Sequence, residues 1–238
     1  MEHPLDRPVW SALTGPQAGV AVRAGAAVRY HPDVGLFAAT ADAGADSMAD
    51  LAGLVRAHGE TALVESRAVA APPGLAVVSE AACLQMVAAE TEAGGGPVRA
   101  DIATLSPTDW PEMAALAQAT RPGPFFARTP GLGRFLGVRI DGRLAAMAGE
   151  RMRIPGFTEV SGVCTLPPFR GQGLAADLIR AVMAAMRARG ETPMLHTYAS
   201  NTGANRLYEA LGFRVRRELV MTTLSAPQPG AELVRGGG

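Results

Sequence analysis

The chain has 238 residues, of which 48% are hydrophobic and 18% charged, enough length and apolar content for one large domain or two small ones and far from the disordered class. Acidic and basic residues number 22 each, and every basic residue is arginine. The even balance argues against a nucleic-acid backbone or an anionic membrane as partner, and the lack of lysine excludes a lysine Schiff base and a P-loop lysine.

Cys83 and Cys164 lie far apart and form neither a disulfide framework nor a metal spacing, and His3, His31 and His58 are scattered, so no metal site is expected. The opening Met1 to Asp6 lacks the basic start and apolar run of a secretion signal, and no apolar stretch of membrane-spanning length escapes interruption by proline or charge. A soluble cytoplasmic protein is the expectation.

In chain order, short strand-like runs at Ala27–Tyr30, Ala62–Glu65 and Leu75–Val78 alternate with a helical stretch from Ser47 to Ala57. There Met48, Leu51, Leu54 and Val55 share a face and Ser47 is a candidate N-cap. Gly94-Gly95-Gly96-Pro97 reads as a linker. It divides a smaller mixed α/β domain over 1–97 from a second domain over 98–225, with 226–238 as a tail.

Beyond it, Val98–Leu105 reads as a strand, and Ser106 to Asp109 as a turn into a helix carrying Met113, Leu116 and Ala117. Phe135–Ile140 and Leu144–Ile154 flank Asp141-Gly142, a tight hairpin turn. A strand from Thr158 to Leu166 runs through Pro167-Pro168-Phe169 into a glycine loop. The next helix has an apolar face of Leu174, Leu178, Val182 and Met186 and is closed by Gly190. Met194–Tyr198 is a strand, Asn201 to Leu211 a helix, and Phe213 to Leu224 a last strand. The order after the linker is βα, three antiparallel strands, then αβαβ.

Arg170-Gly171-Gln172-Gly173-Leu174-Ala175 lies between a strand and a helix N-terminus, where unpaired N–H groups and the helix dipole favour a phosphate. Gly171 and Gly173 leave the backbone uncovered, and Arg170 adds a fixed positive charge. The loop also fits the dinucleotide pattern G-x-G-x-x-A loosely. However, the acidic residue Glu191 precedes the strand Met194–Tyr198 instead of ending it, which argues against a Rossmann fingerprint.

Val163 to Ala175 resembles the acyl-CoA-binding motif of the GNAT superfamily, Q/R-x-x-G-x-G/A, with Arg170, Gly173 and Ala175 at its fixed positions. Asn201, Ala204, Leu207, Tyr208 and Leu211-Gly212-Phe213 are similar to its downstream motif N-x-x-A-x-x-L-Y-x-x-L-G-F. The resemblance covers about 98–225 and implies an α+β fold: a twisted, mixed, mostly antiparallel sheet flanked by helices. The N-terminal half is left either as a diverged repeat of that fold or as an unrelated unit shaping the acceptor cleft.

The resemblance further implies N-acyl transfer, most simply of acetyl from acetyl-CoA to a small-molecule or peptide amine by direct attack on the thioester. Backbone groups of Val163 and Thr165 would pair with the pantetheine arm. The amides of Gly171, Gln172, Gly173, Leu174 and Ala175 would hold the pyrophosphate, with Asn201 on the cofactor side and as helix cap. Tyr208 matches the tyrosine that protonates the departing thiolate. For the base, Glu159 is the candidate and Glu150 the alternative, and Cys164 with His196 would give a thiol-nucleophile route. The loop from Arg121 to Arg134, with Arg121, Arg128, Arg134, Phe125 and Phe126, suggests an acceptor with a carboxylate and an apolar part. A non-catalytic acyl-CoA sensor is the rival function.

Overall fold

The structure is a computed structural model and describes residues 3–89 and 101–227. The glycine linker, the residues at the start of the Val98–Leu105 strand and nearly all of the tail lie outside the described residues.

After a 3-10 turn at Pro4–Asp6, α1 (Pro8–Leu13) leads to β1 (Ala21–Ala24), β2 (Ala27–Tyr30) and β3 (Ala38–Thr40), which form a small antiparallel sheet in that order. Helix α2 (Ala45–His58) begins earlier than expected: its N-cap is Gly44, and Ser47 donates to Asp42 Oδ1 at 2.7 Å, bracing the preceding turn instead of capping the helix. Then come β4 (Thr61–Glu65), β5 (Ala76–Ala88), β6 (Ile102–Thr104), α3 (Trp110–Thr120), β7 (Phe135–Ile140) and β8 (Arg143–Ile154). The chain closes with β9 (Phe157–Thr165), α4 (Leu174–Arg187), β10 (Thr192–Tyr198), α5 (Thr202–Ala210) and β11 (Phe213–Ser225). Between β7 and β8, Asp141 and Gly142 have φ of 50° and 78°, the two positive values that the tight hairpin requires.

The main sheet has eight strands in the order β4-β11-β5-β10-β9-β8-β7-β6, antiparallel throughout except for β9 and β10. This is the mixed, mostly antiparallel sheet flanked by helices. Strand β5, which precedes the linker in sequence, lies at the centre of the sheet between β10 and β11. The sheet therefore runs across the boundary at residue 97. The expected strand at Leu75–Val78 is only the first turn-proximal part of β5. Its continuation, rich in alanine and polar residues, has little strand propensity and takes its conformation from pairing on both edges.

One face of the sheet is covered by α4, whose Leu174, Leu178, Val182 and Met186 are buried against Ala146, Ala148, Val160 and Leu195. On the opposite face α3 packs on Met147 and Cys164, while α1 and the small sheet pack on Met152, Met194 and Leu219. Successive strand residues point to opposite faces, which is why Met194 and Leu195 join different cores. No helix among the described residues is long and apolar enough to cross a membrane.

Candidate active site

Strands β9 and β10 pair only at Thr192 with Phe157, Pro193 with Thr158 and Met194 with Glu159. Past these positions both strands continue but separate, and a cavity of about 920 Å³ occupies the gap. Leu166 donates its N–H to Ala145 O at 2.9 Å. Backbone groups of alternate residues face opposite sides of an antiparallel strand, so those of Val163 and Thr165 face away from β8 and towards the gap. A bulge in β9 at Gly162, with φ of 62°, sets this register; a Cβ there would lie 2.8 Å from the Phe135 ring.

At the mouth of the gap, a 3-10 turn (Pro167–Phe169) delivers Arg170 to the glycine loop. Gly171 and Gly173 have φ of 76° and 79°, and a Cβ on either would meet nothing within 4 Å. Backbone conformation, more than crowding, thus demands glycine at both. Among the described residues no side chain caps α4, and Asp177 N donates across the cap to Gly173 O at 3.1 Å. The amides of Leu174, Ala175 and Ala176 belong to the unpaired first turn. Arg170 Nε donates to Thr165 O at 3.2 Å, tying loop to strand. Thr165 Oγ1 is buried with no hydrogen-bond partner among the described residues.

Tyr208 lines the same cavity from α5, half-buried, with its ring edge-on to Phe213 at 6.1 Å. Burial, helped by the negative charge of Glu159, pushes its phenol up to about 12, so it is a proton donor at neutral pH. Asn201 caps α5 by accepting from Ala204 N at 3.3 Å, and it also lines the cavity. Asn205, which sequence reasoning passed over, fastens α5 to the end of β10: it accepts from Thr197 Oγ1 at 2.9 Å and donates to Tyr198 O and Ala199 O. The available signal was a polar residue on the inward face of an otherwise apolar helix stripe.

The carboxylates differ from expectation. Glu159 is completely buried and does not line the cavity. Arg151 binds it bidentately at 2.8 and 2.7 Å, and His196 Nδ1 lies 2.8 Å from its Oε1. Burial alone would raise its pKa, but the Arg151 guanidinium and the His196 hydrogen bond outweigh that and hold the carboxyl far below the usual range. With both oxygens occupied by Arg151 and His196 and the side chain outside the cavity lining, Glu159 is placed as their counter-ion and does not face an amine as a base would. Glu150 is buried against Arg189 at 2.9 Å and Arg153 at 3.5 Å, away from the cavity. The thiol route fails on the same grounds of partnership. Burial pushes Cys164 up to about 11, and His196 is bonded to Glu159 and Gln85, not to the thiol.

Of the acceptor-loop arginines, Arg121 lines the cavity with Pro122, Gly123 and Pro124. Arg134 instead donates to Thr104 at 2.8 Å, and Phe125 packs edge-on against Phe135 at 5.9 Å. The N-terminal half reaches the site directly, because Phe37, Val64 and Cys83 form part of the cavity wall. Arg151 lies over the Phe37 ring, 4.7 Å from its centroid.

Comparison with known proteins matches this geometry. The family model FR47-like protein matches residues 135–221. The crystal structure of a GNAT-family protein from Novosphingobium aromaticivorans DSM 12444 is 52% identical, with a TM-score of 0.86 over 95% of this chain and 100% of that one. A GCN5-related N-acetyltransferase from Kribbella flavida shares the fold at 23% identity and a TM-score of 0.55, over 88% of this chain and 90% of its own. A functionally unknown conserved protein from Staphylococcus epidermidis ATCC 12228 does so at 14% identity and a TM-score of 0.56, over 86% of this chain and 92% of its own. No protein with a curated description matches the sequence. With the parted strands, the glycine loop and identity sustained over nearly the whole of both chains, N-terminal half included, this chain belongs to the GNAT family of acyltransferases.

Proposed function

We propose that the protein is an N-acyltransferase that moves an acetyl group from acetyl-CoA to a primary amine by direct attack. The observation that carries this reading is the convergence, on one cavity, of the parted β9 and β10, the two ends of the glycine loop at Arg170 and Ala175, and Tyr208. The residues present fit the cosubstrate. The outward backbone groups of Val163 and Thr165 can accept a pantetheine amide as an added strand. The open first turn of α4 and Arg170 suit a diphosphate. When bound, acetyl-CoA supplies the activated thioester carbon.

The chain's own residues then have three tasks. Val163, Thr165, Asn201 and the loop Gly171 to Ala175 orient the thioester, which converts an encounter of two solutes into attack within one complex. Phe37 and Val64 give the cavity an apolar wall against which the acceptor can pack. Tyr208 gives a proton to the sulfur as the carbon–sulfur bond breaks and the carbon–nitrogen bond forms, and the proton that the nitrogen sheds on becoming an amide restores the phenol. A cytoplasmic location belongs to the same proposal and suits two buried, unbridged cysteines.

The test is release of free thiol from acetyl-CoA on addition of amines. Tyr208→Phe should keep acetyl-CoA affinity and lose about 10²- to 10⁴-fold in turnover, the range for removal of a general acid. Unchanged turnover would dismiss Tyr208, and thiol release from no amine at all would leave only binding.

A further inference from the structure

Acyl transfer to an ammonium group needs a base, because the nitrogen must lose a proton to expose its lone pair. Among the described residues, no aspartate or glutamate lines the cavity. Its charged lining groups are Arg121, Arg151 and Arg170, and its remaining titratable groups are His196, Tyr198, Tyr208, Cys83 and Cys164.

His196 is the natural candidate, and the hydrogen bonds around it settle what it can do. Arg216 Nη1 donates to Gln85 Oε1 at 2.9 Å, and Gln85 Nε2 donates to Leu5 O at 2.9 Å. Arginine can only donate and a carbonyl can only accept, so the Gln85 amide has one orientation. Its Nε2, 3.1 Å from His196 Nε2, is therefore the donor there and the imidazole nitrogen the acceptor. The proton of the ring sits on Nδ1, directed at Glu159 Oε1. The imidazole lone pair is thus already engaged, and a second proton on Nε2 would face the Gln85 amide hydrogens. Around this ring stand Arg151 from β8, Glu159 from β9 and Gln85 from β5, with Arg216 and Asp6 one bond further out. The other lining groups sit too high to serve near neutrality: burial pushes Cys83 and Cys164 to about 11 and Tyr208 to about 12, and raises Tyr198 as well.

From this we infer that the acceptor is an amine that enters already uncharged: a weakly basic α-amine, of the kind at a peptide end or on an amino-acid amide, carried on an apolar group. This rests on the acyl-transfer reading, in which the single proton such a nitrogen sheds after attack goes to the Tyr208 oxygen that has protonated the sulfur. The apolar group is asked for by the wall of Phe37, Val64, Met152 and Met221. With Arg151 compensated by Glu159, the positive charges that remain on the lining are Arg121 and Arg170, which disfavour a cation by like charge. An α-amine of pKa about 7.8 is roughly one-third uncharged at pH 7.5, whereas an alkylamine of pKa about 10.4 is uncharged in about one molecule in a thousand.

The experiment measures kcat/KM of the full-length protein, by thiol release from acetyl-CoA, for leucinamide, the tripeptide Leu-Gly-Gly and 3-methylbutylamine between pH 6 and 9.5. The two α-amines should exceed the alkylamine by about 10²-fold at pH 7.5, less what the more basic nitrogen regains in nucleophilicity. Their profiles should level off near their own pKa while the alkylamine keeps rising. A larger value for leucinamide or for the tripeptide identifies a small amide or a peptide end as the source. A break at the same pH below 7.5 for all three amines would reveal a base on the enzyme and overturn the inference while leaving acyl transfer intact. Thiol release with none of them would overturn the acyl-transfer reading itself.

Discussion

Replacing Glu159 by Gln separates a structural carboxylate from a catalytic one. The side chain is fully buried, with both oxygens on Arg151 and one also on His196. Gln keeps the shape but leaves the buried Arg151 charge uncompensated, a loss of about 3–5 kcal/mol for a broken buried pair. At about 2–4 °C per kcal/mol for a protein of this size, that lowers Tm by roughly 6–20 °C. The pH dependence has a definite sign. Because the folded pKa is depressed, the stabilisation from Glu159 is complete above the unfolded value of about 4.3 and is lost progressively as pH falls from there through the folded value. The difference in stability between the two proteins should therefore be constant from pH 8 to 5 and shrink only below. Urea unfolding at a series of pH values, with thermal melts alongside, measures it. Replacing the pair together, Arg151→Met with Glu159→Leu, should recover most of the loss, since a well-packed apolar pair can match a buried ion pair. A Gln variant within about 1 kcal/mol of the parent, yet with its turnover abolished, would refute the structural role and restore Glu159 as a base.

Gly173→Ala places a Cβ in open space at φ of 79°, so its cost should be backbone strain of about 1–2 kcal/mol in stability, together with weaker acetyl-CoA binding as the loop turns; melts and calorimetry read the two effects. Cys164→Ala should retain turnover, and the native thiol, pushed up to about 11, should label slowly with iodoacetamide at pH 7.5, against the fast labelling of an activated nucleophile.

Much of the second half was legible because its signals are local. The Asp141-Gly142 turn, the Leu174 to Met186 stripe and the glycine closures each depend on neighbours within a few residues, and all appear where read. Strand β5 was not, because Ser79 to Ala82 carry no alternation and are strands only by virtue of β11 beside them. The site divided in the same way. Tyr208 and Asn201 came with a motif, and both face the cavity. Glu159 came with a position alone, and Arg151 and His196, eight residues upstream and on another strand, decide its chemistry. Nothing near Glu159 in sequence announces either partner. Likewise, Phe37 and Val64 reach the cavity only because the sheet joins both halves of the chain.

The most direct test of acyl-CoA-dependent chemistry is calorimetric titration of the purified protein with acetyl-CoA, free CoA and NADH. Saturable binding of acetyl-CoA and CoA without binding of NADH, weakened by Gly173→Ala and preserved in Tyr208→Phe, is the expected result. Binding of NADH with none of either CoA species would contradict it and return the glycine loop to a dinucleotide site.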